Sequence, residues 1–339
     1  MKRALTALLL MLAGSTGVLA DPLAGYDRIA VEAPHRARLV DASIWYPAAT
    51  ATYRVPIGEN LVFKGTDGLV GAGIADGKFP LVLLSHGSGG NMDGLSWLSS
   101  ALALKGALVL GVNHPGSTSG DSSPRRSLRL GERAADLSRA LDQILTDPDF
   151  GPHIDHSRIA VLGFSLGGTT ALNLAGARFD PAGFRDYCAR LHNDAADCAF
   201  FVKGGVDFDH LPDDFAAAAG DPRITSTIAV DPGMTGTITP ESLAAMTQPI
   251  LLINLGDEHR WPAIDVSAAG SGLVDHLPNA TYDVVQPAIH FTFLAECKPQ
   301  AAALLEEEHD DPVCTDPAGA DRAEIHKEII TDVAGFLNL

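Results

Sequence analysis

Five residues, Gly163-Phe164-Ser165-Leu166-Gly167, are the stretch of this chain best placed to do chemistry. They fit the pattern G-x-S-x-G. Just before them, Arg158-Ile159-Ala160-Val161-Leu162 is short, apolar and rich in β-branched residues, which predicts a buried strand. Just after come Gly168, Thr169 and Thr170, then Ala171-Leu172-Asn173-Leu174-Ala175, a helix start. A strand, a sharp turn and a helix would leave the Ser165 hydroxyl exposed on a strained turn. Gly163 and Gly167 suit such a turn because backbones pass close on both sides of it. The plainer reading, a glycine-rich turn that happens to hold a serine, is outweighed by these flanks. At its free pKa a serine hydroxyl is a poor nucleophile. The rest of the chain must therefore supply a base, and donors for the oxyanion that forms on attack.

The elements that would position these groups can be read from periodicity. Residues 26–47 alternate charged and apolar positions and end in Ile44-Trp45-Tyr46-Pro47, which predicts two antiparallel strands. Residues 54–79 are glycine-rich and predict a loop. Strands and helices then alternate. Leu81 to Ser85 reads as a strand. Residues 92–105 read as a helix carrying Leu95, Trp97, Leu98, Leu102 and Leu104, and residues 107–113 as a strand. Residues 130–146 form an amphipathic helix with Ala135, Leu137, Leu141 and Leu145 on one stripe. After the serine turn, strands are expected at 224–230, 250–254 and 282–285, with a closing helix over 319–337. This alternation predicts an α/β fold with a mostly parallel sheet covered on both faces. Ligands bind at the carboxyl ends of the strands in such sheets. One segment, 177–220, interrupts the alternation. It holds two cysteines and the acidic run Asp207-Phe208-Asp209-His210-Leu211-Pro212-Asp213-Asp214, and it reads as a lid inserted over the cleft. Surface decoration away from the cleft is the alternative.

G-x-S-x-G in this setting is the nucleophile elbow of α/β-hydrolases, in which the partners follow in the order serine, acid, histidine. Among 12 histidines, His290 lies shortly after the last expected strand and is the candidate base. His276 would sit in or at the end of a helix, and His309 lies in the acidic run Glu306 to Asp311. Two strand ends offer an acid: Asp231 after Val230, or Asp257 and Glu258 after the next strand. Oxyanion donors are expected from the loop Ser85-His86-Gly87-Ser88-Gly89-Gly90 and from the residue after the nucleophile. That makes the backbone amides of Ser88 and Leu166 the candidates. A phosphate-binding reading of the glycine loop lacks the lysine followed by Ser/Thr, and G-x-G-x-x-G is not met.

The chain resembles the platelet-activating-factor acetylhydrolase group and the bacterial predicted dienelactone hydrolases. The matching stretches are Ser43 to Pro47, Phe79 to Gly90, Asn113-His114-Pro115, Gly163 to Gly168, Ile228 to Asp231, Gln248 to Asn254 and Ile289-His290-Phe291. This resemblance implies Asp231 as the acid and Ser88 with Leu166 as the oxyanion pair. Three features depart from it. The 177–220 segment is outside the common core, so substrate range does not carry over. Phe164 stands where histidine is more usual, a change expected to be mild because that side chain would point away from substrate. True dienelactone hydrolases use a cysteine nucleophile, and Ser165 argues against that activity.

Residues 1–20 read as a secretory signal peptide: Lys2 and Arg3, then the apolar run Ala4 to Ala13, then Val18-Leu19-Ala20 before cleavage at Asp21. A membrane anchor would need ~20 predominantly apolar residues, and Gly14 to Gly17 interrupt this run. The expected mature domain is 21–339, periplasmic or secreted. The full chain's formal charge of −18 becomes more negative once Lys2 and Arg3 leave. So acidic a surface disfavours nucleic acid and anionic membranes. Four cysteines, Cys188, Cys198, Cys297 and Cys314, suggest two disulfides in an exported chain. Proximity pairs Cys188 with Cys198 and Cys297 with Cys314, and the sequence leaves three connectivities open. Zinc is the weaker reading because no C-x-x-C occurs. Calcium at Asp207, Asp209, Asp213 and Asp214 lacks EF-hand spacing, so these residues read as a solvated acidic face. The expected activity is hydrolysis of carboxylic esters, of short-acyl or phospholipid-acetyl type, with no metal or organic cofactor and a small-molecule or lipid ester as partner. The alternatives are a lipase or polyester hydrolase working on insoluble substrate, and a non-catalytic binding protein of the same fold.

Overall fold

The short apolar runs become the centre of a ten-stranded sheet. A computed structural model describes residues 22–191, 195–257 and 260–339. The signal peptide expected over 1–20, with its cleavage after Ala20, lies outside the described residues. In chain order the strands are β1 (Gly25–Val31), β2 (Val40–Tyr46), β3 (Tyr53–Ile57), β4 (Thr66–Val70), β5 (Phe79–Ser85), β6 (Leu108–Val112), the two-residue pair β7 (Ser117–Thr118) and β8 (Asp121–Ser122), β9 (Ile154–Phe164), β10 (Ser226–Val230), β11 (Ile250–Leu255) and β12 (Ala280–Val285). The helices are α1 (Ser96–Leu104), α2 (Pro124–Ser127), α3 (Leu130–Thr146), α4 (Leu166–Leu174), α5 (Pro181–Leu191), α6 (Ala196–Lys203), α7 (Pro240–Ala245), α8 (Leu273–His276), α9 (Ala301–Glu307) and α10 (Arg322–Leu337). Across the sheet the order is β12-β11-β10-β9-β5-β6-β2-β1-β4-β3. The six strands from β12 to β6 are parallel. β2 pairs antiparallel with β6, and β1 antiparallel with β2 from Gly25↔Tyr46 to Val31↔Val40.

The parallel strands read as unbroken apolar runs because both of their faces are covered. Side chains alternate across a strand. Val82 and Leu84 therefore join a core with Leu98 and Leu102 of α1 and Ile325, Ile329 and Val333 of α10. Leu81 and Leu83 join a second core with Leu137, Leu141 and Ile144 of α3. α10 begins where the Asp321 carboxylate accepts from the Ala323 and Glu324 N–H groups, an N-cap that starts the helix at Arg322, three residues later than the expected 319.

Two expectations need correction. Residues 54–79 are not simply a loop, because β3 and β4 extend the sheet there. β3 is the outermost strand, exposed at four of its five residues and carrying Pro56. Such an edge has no apolar alternation to read. In α3 the buried stripe is also rotated from the one expected. Leu137 and Leu141 are buried, but Ala135 and Leu145 lie at its margin, and Arg133 and Asp136 point inward instead.

The segment 177–220 stands between α4 and β10 and contributes α5, α6 and a 3-10 turn at Asp213–Ala216. Cys188–Cys198 joins α5 to α6, and Cys297–Cys314 closes the loop around α9. Both pairings are the proximity ones. Phe184 is the hub of the segment's own aromatic cluster, with ring contacts to Phe201, Phe208 and Phe215. This cluster is continuous with Leu128, Leu166 and Leu172 of the main body. The Asp214 carboxylate accepts from the Glu132 N–H in the first turn of α3. Among the described residues, no helix is long and apolar enough to cross a membrane.

Candidate active site

β9 carries the chain to Phe164, and α4 begins at Leu166, so Ser165 is the whole of the turn. Its φ of 56° and ψ of −124° form a conformation that costs a non-glycine residue energy and persists only when the surroundings enforce it. The glycines allow the enforcement. A Cβ on Gly163 would lie 1.9 Å from the Gly167 carbonyl oxygen, and one on Gly167 would lie 1.9 Å from that of Ser85. The Ser165 N–H donates to the Val230 carbonyl at 2.9 Å, which ties the turn to the end of the neighbouring strand.

Three strand ends bring three side chains into line. His290 follows β12, and its Nε2 is 3.1 Å from the Ser165 hydroxyl oxygen. Its Nδ1 is 2.9 Å from Asp231 Oδ2, at the end of β10. Asp231 is fully buried and His290 nearly so. The other Asp231 oxygen accepts from the Leu255 N–H at 3.0 Å and from the Asn254 amide at 2.9 Å. Asn254 is itself fixed: its amide donates to the Ile264 carbonyl, and its Oδ1 accepts from the Val266 N–H. The structure therefore brings Ser165, His290 and Asp231 together. Asp257 is exposed beyond the end of β11, and Glu258 lies outside the described residues. His276 ends α8, and His309 sits in an exposed turn at positive φ.

The turn that carries the base is braced from α10. Thr292 Oγ1 accepts from the Ile289 N–H and donates to Asp316 Oδ1. His326 Nε2 donates to the Thr292 carbonyl at 2.9 Å. Arg322 in turn pairs with Asp316. The imidazole of His290 has three aromatic neighbours, one of them the adjacent Phe291 at 5.6 Å. Phe164 stacks on it at 4.6 Å between ring centroids, and Trp261 lies at 4.9 Å. Phe164, which stands where the resembled families more usually carry histidine, thus forms a wall of the candidate base.

The loop after β5 lies directly against the serine. A Cβ on Gly87 would be 3.2 Å from that of Ser165. His86 is buried, its Nε2 accepts from the His114 N–H, and its Nδ1 faces the Gly87 carbonyl oxygen at 2.7 Å. This pattern fixes a neutral imidazole protonated at Nδ1. Burial first, and then the nearby Arg133 cation, push its pKa well below the ordinary histidine value. The Gly87 carbonyl is also held by the Gly90 N–H at 3.1 Å. In a trans peptide the N–H points opposite to the C=O, so pinning this carbonyl fixes the direction of the Ser88 N–H. Among the described residues, neither the Ser88 nor the Leu166 N–H has an intramolecular acceptor.

Sequence reasoning missed a second line of the same types. Ser85 Oγ is 3.0 Å from His114 Nε2, and His114 Nδ1 is 2.9 Å from Asp136 Oδ2. All three residues are fully buried. Asp136 also accepts from Arg36 and His35, and these bonds, with that from His114, outweigh burial and hold its carboxyl far below the usual range. Burial depresses His114 to about 3, so it stays neutral. The available signal was in α3: Arg133 lies four residues before Leu137, on the stripe that packs inward.

The family model for the alpha/beta hydrolase fold covers residues 80–217. Cutinase est1 and Cutinase est2 of Thermobifida alba are each 31% identical to the chain over 122 residues, which are 34% of this chain and 38% of each cutinase. The chain thus spans well under half the length of these relatives. A ferulic acid esterase from Streptomyces cinnamoneus superposes with a TM-score of 0.60 at 18% identity, over 94% of this chain and 89% of that one. That likeness is one of fold.

Proposed function

We propose that this chain, which has the α/β-hydrolase fold, is an exported serine esterase that cleaves carboxylic esters through Ser165, His290 and Asp231. One observation carries the reading: a hydroxyl on a strained turn, 3.1 Å from an imidazole whose far nitrogen is 2.9 Å from a buried carboxylate. As Ser165 Oγ attacks the ester carbonyl, His290 takes its proton, and Asp231 holds the ring and stabilises its cationic form. The Ser88 and Leu166 N–H groups receive the oxyanion. Collapse of the tetrahedral intermediate expels the alcohol, which leaves with the proton from His290. Water then repeats the sequence on the acyl-enzyme and frees the acid and the serine. These steps need no cofactor. The two disulfides support an oxidising, extracytoplasmic location.

The 177–220 segment serves in this reading as a roof. Its α6 lies against α2 on one side and against Pro262–Ile264 on the other. Ser127 of α2 touches Ser88, and Trp261 touches His290. Phe200, Val202 and Trp261 remain exposed here, and together with the local likeness to cutinases they favour a second reading, hydrolysis of insoluble lipid or polyester.

p-Nitrophenyl esters of graded acyl length, given to the mature chain, test both readings. Turnover should vanish in Ser165→Ala, and a fluorophosphonate should label Ser165 alone. Retained turnover in that variant would reject the assignment. A rate that rises only above the solubility limit of the ester would favour the second reading.

A further inference from the structure

Arg133 is a buried cation that forms no direct ion pair among the described residues, although the Asp136 carboxylate attracts it. Burial lowers its pKa to about 9, so it remains charged at neutral pH. A cation in that position is costly unless its hydrogen bonds are satisfied. The guanidinium makes four, all to neutral oxygens and on three segments: α4, β7 and the end of β5. Nε donates to Thr170 Oγ1 on α4 at 2.8 Å. One terminal nitrogen donates to Ser117 Oγ. The other donates to the His86 carbonyl at 2.6 Å and to Ser85 Oγ at 3.2 Å.

Two of these bonds lead to the two proposed oxyanion donors. On one side, Thr170 Oγ1 donates a hydrogen bond to the Leu166 carbonyl at 2.9 Å, within the first turn of α4. On the other, the His86 carbonyl opens the loop that bears Ser88, and the Ser117 carbonyl accepts from the Gly89 N–H at 2.8 Å. One planar group therefore spans the loop after β5 and the helix after the serine, which share no backbone hydrogen bond at this point among the described residues. We propose that Arg133 is a positioning residue that sets the spacing between the Ser88 and Leu166 N–H groups. It touches no reacting atom. Its loss would let the two donors drift apart, which weakens oxyanion binding while leaving ground-state binding of the ester alone.

This inference rests on the esterase reading, and the experiment separates the two. Wild type, Arg133→Lys and Thr170→Val are compared on p-nitrophenyl acetate, with rates expressed per active site counted by organophosphate titration. Thr170→Val removes the anchor on α4 together with the Thr170–Leu166 hydrogen bond and keeps the side-chain volume and Arg133, so it guards against a misfolded arginine variant. Expected are an unchanged fraction of titrable sites, KM within about twofold, and kcat lower by about 10- to 100-fold, below the cost of deleting a donor outright. A trifluoromethyl ketone, which forms an oxyanionic adduct on serine, should bind more weakly by the same factor. A structural role alone would lower the titrable fraction and leave kcat per site and inhibitor affinity unmoved, and that result overturns the inference. A wild type without turnover or titration would instead sink the esterase reading itself.

Discussion

The ring of Phe164 stacks on the imidazole of His290, with centroids 4.6 Å apart and planes 30° from parallel. On its other neighbour, Phe293, it stacks at 4.4 Å. The residue before the nucleophile thus packs against the base rather than merely filling space behind the turn. Phe164→Ala should destabilise the fold by about 3–5 kcal/mol, as buried phenylalanine truncations do. It should also lower kcat, because the imidazole loses the surface that fixes its tilt. Guanidinium unfolding and ester turnover on the same sample would check both effects, and an unchanged kcat would show that the hydrogen bonds alone orient the ring.

Asp231 accepts hydrogen bonds from Leu255, Asn254 and His290. Asp231→Asn replaces an acceptor with a group that can donate, which favours the wrong imidazole tautomer. Turnover should fall by about 10³–10⁴. Asp257→Asn, at an exposed position, should keep turnover within a few-fold. Steady-state kinetics on both variants decides the matter.

The Cys297–Cys314 bridge closes a loop of 17 residues next to Asp316, whose carboxylate holds Thr292 in the base turn. Replacing both cysteines by alanine should cost about 3 kcal/mol of stability in the loop-entropy picture. Because the loop abuts the base turn, activity should be lost on heating before global unfolding is seen. Parallel thermal scans of turnover and of circular dichroism would reveal that gap.

His326 donates to the Thr292 carbonyl and stacks on Trp97. Burial pulls its pKa from 6.5 to about 4. Its folded value lies below its unfolded value, so the folded state favours the neutral ring. That contribution is complete above the unfolded pKa and is lost as pH falls from about 6.5 to 4, when only the unfolded chain takes up the proton. The loss is on the order of 3 kcal/mol. His326→Gln should flatten the fall in urea midpoint between pH 7 and pH 4.5. A slope equal to that of the wild type would show that other groups govern acid lability.

Much of this was legible in the chain itself, for local reasons. Gly163 and Gly167 mark the turn because no other residue tolerates backbone at that distance. The covered parallel strands announce themselves as apolar runs. Asp231 and Asp257 could not be separated by residue type, because both end adjacent strands and the choice depends on which strand end faces β9. The edge strand β3 was hidden by exposure, which erases alternation, and β4 beside it is half-buried at four of its five residues. The links among Arg133, Ser85, His86, Ser117 and Thr170 join segments far apart in the chain and leave no local pattern beyond a charge on an apolar stripe.

Ser85, His114 and Asp136 reproduce the distances of a working triad in a place no solvent or reagent reaches. Two interatomic distances alone would pick out two sites in this one molecule, of which only the line through Ser165 is proposed to react. What separates the proposed reactive line from the buried one is a backbone bent out of its comfortable range at Ser165, which leaves one hydroxyl part-exposed while Ser85 stays in an ordinary strand.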